Sequence, residues 1–161
     1  MKPLLSLLVL LISFAATTQT TEINSTEYGF SLSVPSWMTL ATADNPWEVD
    51  FPPLKNTTDK ISIKGFHKKE FQKLQSISAQ LKKGNKFEGK TIVSIEKLEG
   101  YLPFGETYKV VSKVKDERFL DLLTFVDTST GHLLIDFASS NEAYELNVVK
   151  FRSVISDLKI N

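Results

Sequence analysis

The stretch "FLDLLTFV", Phe119 to Val126, is apolar at six of its eight positions. Successive side chains of a strand point to opposite faces of a sheet. Here both faces are apolar, interrupted only by Asp121 and Thr124. A strand of that kind sits centrally in a sheet that is covered above and below. The rest of the chain must therefore supply neighbouring strands and something to lie over each face.

The strands are legible as period-two patterns. Tyr28, Phe30, Leu32 and Val34 alternate with Gly29, Ser31 and Ser33, and Pro35, which lacks an N–H, ends the run. Trp47, Val49 and Phe51 alternate with Glu48 and Asp50 and stop at Pro52 and Pro53. Ile61 and Ile63 lead a third strand to Phe66, Ile92 to Leu98 is a fourth, and Thr107 to Val114 is a fifth. "KDE" turns the chain into the central strand, and "DTSTG" turns it out again into Leu133, Ile135 and Phe137. Links this short favour antiparallel hairpins.

Two segments change to helical spacing. Phe71, Leu74, Ile77 or Ser78, and Leu81 recur on one face of Lys68 to Lys83, with Lys82, Lys83 and then Gly84 suited to the C-terminal end. Near the end, Ser139 and Glu142 fit a capping box. Tyr144, Val148, Phe151, Ile155 and Leu158 then form a stripe that needs a sheet to bury against. The expected fold is α+β: a largely antiparallel sheet of about seven strands covered by two helices.

Composition narrows the function classes. The 161 residues suit one domain. Lys+Arg and Asp+Glu both number 19, so no basic excess points to nucleic acid. Cys is absent, which removes disulfides, thiol chemistry, Cys-ligated metal and a lipid-modified Cys. Residues 1–16 read as a signal peptide: Lys2, an apolar run from Leu4 to Phe14, and small residues for cleavage after Ala15 or Ala16. The run is shorter than the roughly 20 apolar residues that span a bilayer. Residues 17–26 read as a loose polar leader and 27–161 as one domain. The expectation is an exported protein, periplasmic or secreted, with no membrane span after cleavage.

The layout resembles the PsbP-like and DcrB-like family of exported α/β/α sandwich proteins. "EYGFSLSVPSWM" is similar to the family's first aromatic-Gly-aromatic strand running into Pro and Trp. "LLIDFASSNEAYELNVVKFRSVISDLKI" is similar to its last strand, polar cap and terminal helix. The resemblance implies a binding or assembly factor without a shared catalytic centre. It also implies a folding role for Trp37, capping the core where Pro35 turns the chain over the sheet's end.

The residues themselves offer little chemistry. His67 and His132 are the only histidines, and a metal site needs three or four ligands. His67 and Glu70 read as a helix start. His132 and Asp136, four residues apart on a strand, stand about 13 Å from each other. No G-x-S-x-G elbow or P-loop is present, "GNKFEGK" reading as a turn. Catalytic residues, cofactors and metal ligands are therefore expected to be none. Asn24 and Asn56 stand in N-x-[ST] sequons, in segments read as loops.

The distinctive feature is "GYLPFGE", where Tyr101, Leu102, Pro103 and Phe104 put apolar groups at a strand connection. Either the loop folds back and buries its rings, the more ordinary outcome, or it presents them to a partner. Tyr101, Leu102 and Phe104, with Trp47 beside them, are the partner-binding candidates. The expected function is a non-enzymatic, exported binding protein acting through a protein partner. A carrier of a small hydrophobic ligand, in a cleft between sheet and helix, is the alternative, and a hydrolase of unfamiliar type a more remote one.

One prediction rests on the sequence alone. A chain ended at Ser139 loses the terminal cover and should lose its cooperative thermal transition. A truncated form that melts as sharply and as hot as the intact chain would refute the two-cover reading.

Overall fold

The computed structural model describes residues 20–54, 59–84 and 86–161. The signal-peptide segment and the Asn56 sequon lie outside these. Among the described residues, eleven strands form two antiparallel sheets. The larger contains β3 (Thr39–Ala43), β4 (Trp47–Asp50), β5 (Lys60–His67), β6 (Lys86–Phe87), β7 (Lys90–Leu98), β8 (Glu106–Val114), β9 (Glu117–Asp127) and β10 (Gly131–Ser140). Its spatial order is β3-β4-β5-β10-β9-β8-β7-β6. The smaller joins β1 (Thr20–Ser25), β2 (Phe30–Pro35) and β11 (Lys159–Ile160) in the order β1-β2-β11. The helices are α1 (Phe71–Lys83), entered through a 3-10 turn at Lys68–Glu70, and α2 (Tyr144–Ile155).

The strand that is apolar on both faces is central, as its pattern requires: β9 lies between β10 and β8. Leu120, Leu122 and Val126 belong to one core, and Leu123 to the other. The first core lies against the small sheet and α2, where Phe30, Leu32, Phe151 and Ile155 meet Ile61, Ile63, Leu133 and Phe137. Phe137 and Phe151 stack with ring centroids 4.8 Å apart. The second core lies under α1, with Leu74 and Leu81 set against Phe66, Tyr108, Val110 and Leu134.

Several local expectations are corrected. The segment read as a polar leader is a strand from Thr20. Ile23 and Ser25 alternate inward, and Thr20 to Ser25 pair with Pro35 to Phe30. Asn24 is exposed on that strand rather than in a loop. Trp37 does not cap the core. The turn after Pro35, closed by Met38 N–H to Pro35 O at 3.0 Å, buries Met38 instead and leaves Trp37 43% exposed against Phe51. That turn carries the chain out of the small sheet and into the edge strand β3 of the large one.

The capping box does not form either. Ala143 is the N-cap of α2, and Ser139 is spent on Asp59. α2 also stops at Ile155, and Leu158 reaches the core from the tail that becomes β11.

Two polar side chains tie the pieces together, Asp59 from inside and Asn45 from the surface. Asp59 is buried and accepts from Ser139 Oγ at 2.5 Å, Asn147 Nδ2 at 2.8 Å and Ser140 N–H at 3.3 Å. It thereby ties the entrance of β5 to the end of β10 and to α2. Asn45 accepts from Gly65 N–H at 2.9 Å and donates through Nδ2 to Gly65 O at 3.1 Å and to the Tyr28 hydroxyl at 3.2 Å. Gly65 is required there, because a Cβ would stand 2.4 Å from the Tyr28 ring.

Removing one side of a buried polar network leaves the other side unsatisfied, at about 1–3 kcal/mol per group. Asp59→Ala, which takes the acceptor from three donors and orphans Asn147 Nδ2 and Ser140 N–H outright, should cost about 2–3 kcal/mol or more in urea unfolding. A loss below about 1 kcal/mol would mean that Asp59 does not hold the layers.

Candidate functional site

The loop from Glu99 to Gly105 joins β7 to β8 and folds back over the end of the sheet. Leu102 is 9% exposed and part of the α2-side core, and Tyr101 and Phe104 are half-buried against it. The Arg152 guanidinium lies 5.1 Å from the Tyr101 ring centre. Burial raises the Tyr101 phenol above its ordinary pKa, against the opposing pull of Arg152. Burial likewise pushes Tyr144, at the start of α2, up to about 12. Both phenols therefore stay protonated through the neutral range. Trp47 is 8% exposed and wedged edge-on against Phe30 at 5.0 Å, so it is a core residue with little surface for a partner.

Phe104 behaves differently from its neighbours. Besides touching the α2-side core, it forms one wall of a cleft of about 360 Å³ that opens between the loop and α1. Phe71, Leu74, Gln75 and Ser78 of α1 form the facing wall, and Phe125 and Val126 of β9 the floor. Gly105 makes the geometry possible. Its φ is +74°, and a Cβ there would stand 2.2 Å from Phe125 O, so no other residue lets the loop lie this close to β9. Glu106 and Asp127 stand at the rim. Glu106 is held by Lys97 at 3.0 Å and accepts from the Tyr108 hydroxyl at 3.1 Å, and these bonds lower its carboxyl pKa. Asp127 contacts His132 Nδ1 at 2.6 Å, and the His132 ring lies 4.9 Å from Phe71.

The cleft's exposed aromatic ring is one that the pattern assigned to the core. Phe71 is 43% exposed. The 3-10 turn at Lys68–Glu70 makes Phe71 the first residue of α1, so it overhangs the sheet's end instead of facing it. The spacing Phe71, Leu74, Ile77, Leu81 carries no sign of this, since all four share a helix face. The histidines are spread apart. His67 Nε2 meets Glu27 at 3.1 Å, while His132 pairs with Asp127 rather than Asp136. Among the described residues, no group of three or more His, Asp or Glu is placed to hold a metal ion.

An antiparallel sheet covered on both faces, with a helix closing each, defines the class as an α+β sandwich. More particularly, the fold is PsbP-like. A solution structure of cyanobacterial PsbP (CyanoP) from Synechocystis sp. PCC 6803 is similar to it with a TM-score of 0.53 at 11% identity, over 92% of this chain and 96% of that one. Identity this low carries the fold alone. No family model and no curated protein matches the chain. Among the described residues, no helix is long and apolar enough to cross a membrane.

The two phenylalanines of the cleft should separate in stability. Phe71→Ala removes a ring that is 43% exposed and should cost less than about 1 kcal/mol in unfolding free energy. Phe104→Ala removes a half-buried one and should cost about 1–2 kcal/mol. Equal losses in chemical denaturation would show that Phe71 is packed as firmly as Phe104.

Proposed function

We propose that this protein is an exported, non-enzymatic binding or assembly factor of the PsbP-like and DcrB-like kind. It acts at the cell envelope or beyond, by taking an apolar side chain of a protein partner into the cleft between α1 and the loop at residues 99–105. The observation that carries this reading is Phe71, an aromatic ring left 43% exposed at the lip of an apolar cleft whose other wall is Phe104. Rings at a partly formed pocket are the usual anchors of protein interfaces. The polar rim of Gln75, Ser78, Glu106 and Asp127 gives the wet border that such interfaces carry. The apolar run at residues 1–16 supports export.

The carrier reading draws on one observation of its own. A volume of about 360 Å³ lies within the range of small-molecule sites, roughly 300–1,000 Å³. An open lip with an exposed ring favours a side chain over an enclosed ligand.

Site-specific photo-crosslinking in the source organism tests the proposal. A photoreactive residue at Gln75, in the cleft, should give one discrete protein adduct, and the same residue at Lys113, at the far end of β8, should not. Adding Phe71→Ala should reduce the adduct about tenfold, equivalent to about 1.4 kcal/mol of binding. An adduct equally strong from both positions, or none from Gln75 with a small molecule co-purifying in native mass spectrometry, would overturn the partner reading.

A further inference from the structure

Beside the α1-side core, the large sheet holds two carboxylates on one face. Asp136 on β10 is opposite Leu123, and Asp121 on β9 is opposite Ala138, so the two are diagonal neighbours on adjacent strands. Such a diagonal places side chains about 7–8 Å apart. Their surroundings differ. Asp121 is fully buried and paired: Lys90 Nζ reaches its two oxygens at 2.9 and 3.2 Å, and Ser112 Oγ donates at 3.4 Å. Asp136 has no counterpart to Lys90. Its Oδ1 is buried and accepts a hydrogen bond from no described residue.

Lys90 is also where the β6–β7 hairpin is fastened. Lys86 and Phe87 pair with Thr91 and Lys90, and the chain turns at Glu88–Gly89. Phe87 is buried in the α1-side core. The hairpin's tip, Lys86 to Lys90, lies beyond the β7–β8 ladder that begins at Thr91; the buried Phe87 ring and the Lys90–Asp121 ion pair fasten it, one diagonal from Asp136, whose Oδ1 is buried and unpaired among the described residues.

The charged groups that act on Asp136 come from every side. β9 brings Asp121, the hairpin brings Glu88 and Lys90, and β5 brings Lys60. The Lys60 ammonium is already bonded to Glu48 of β4 at 2.7 Å. α1 contributes the apolar Leu74 and Leu81 to the neighbouring core. Burial first, then Asp121 and Glu88, drive the Asp136 carboxyl well above the ordinary carboxylate range, with Lys90 and Lys60 opposing. Burial raises Asp121 too, and there Lys90 is the main opposing influence.

We propose that the β6–β7 hairpin is a pH-sensitive strap, closed on the sheet while Asp136 holds its proton and loosened when Asp136 ionises beside Asp121 and Glu88. A negative charge on Asp136 would stand one diagonal from Asp121 and draw on the same Lys90 ammonium that holds Asp121. It would also repel Glu88 in the hairpin's own turn. Lifting the hairpin lets water reach both carboxylates and relieves the burial that opposes ionisation.

The direction follows from proton linkage. A carboxyl whose pKa is higher in the closed form binds its proton more tightly there. Its contribution to closure is complete below the open-state value, about 4, and is lost as pH rises through the closed-state value. Closure therefore weakens toward alkaline pH.

Hydrogen exchange of the Phe87 and Lys90 amides, corrected for the intrinsic chemical rate and followed from pH 5 to pH 9, tests the strap. In the full chain, protection at these amides should fall with pH, by about tenfold for each unit by which closure raises the Asp136 carboxyl. The central amides of β9 and β10 should fall less. Asp136→Asn should abolish the fall, and Glu88→Gln, at an exposed turn, should reduce it without threatening the fold. A fall that is unchanged in both variants would overturn the proposal. So would loss of protection that is equal at the hairpin and at β9, since a buried acid acting on global unfolding alone would produce it.

Discussion

The rest of the structure depends on the pairing of β9 with β10, two strands that are apolar on both sides. Their nine-residue ladder, His132 to Ser140 against Asp127 to Phe119, sets Leu122, Leu133, Ile135 and Phe137 toward one layer and Leu123 and Leu134 toward the other. Neither face tolerates water, so each recruits a cover. α2 and the small sheet share the first face because α2 alone spans too little of it. Phe30, Leu32 and Val34 of β2 bury the part beside β4 and β5. α1 covers the second face over Leu123, Leu134 and Tyr108. At about 25 cal/mol per Å² of apolar surface, this double burial is the main drive to fold.

Burial on both faces also raises the stakes for every polar group caught inside. Asp59 shows the solved case, in which its two oxygens find donors from separate elements and so fix where those elements lie. Asp121 with Lys90 shows a charge that tolerates burial only through its partner. Asp136, whose Oδ1 finds no donor among the described residues, shows the unsolved case, one diagonal from the Asp121 that fastens a small hairpin. Specific layer positions and a pH-sensitive spot thus arise from the same cause, low dielectric around few polar groups.

The cleft is a product of leftovers at the sheet's end. α1 begins one turn beyond the strands it covers, and the apolar loop closes back from the other side. The gap between Phe71 and Phe104 is what neither element fills. This explains why the loop could be singled out by composition alone, while its role could not. Of the candidates, Leu102 and Trp47 belong to the core, Tyr101 leans toward Arg152, and only Phe104 faces the cleft as well.

The amino-acid sequence by itself determined the strands that carry strict alternation, the two helices, and the need for cover on both faces of β9. Those follow from local periodicity, which each segment holds without reference to any other. It did not reveal β1, β3, β6 or β11, whose short or polar runs become strands only because a partner edge supplies their hydrogen bonds. Nor did it separate Met38 from Trp37, or Ser139 as a helix cap from Ser139 as a ligand of Asp59, eighty residues earlier in the chain. Only the tertiary structure decided these, because burial and hydrogen-bond pairing depend on what arrives from distant sequence, and the same is true of Phe71 at the cleft and Asp136 beside Asp121.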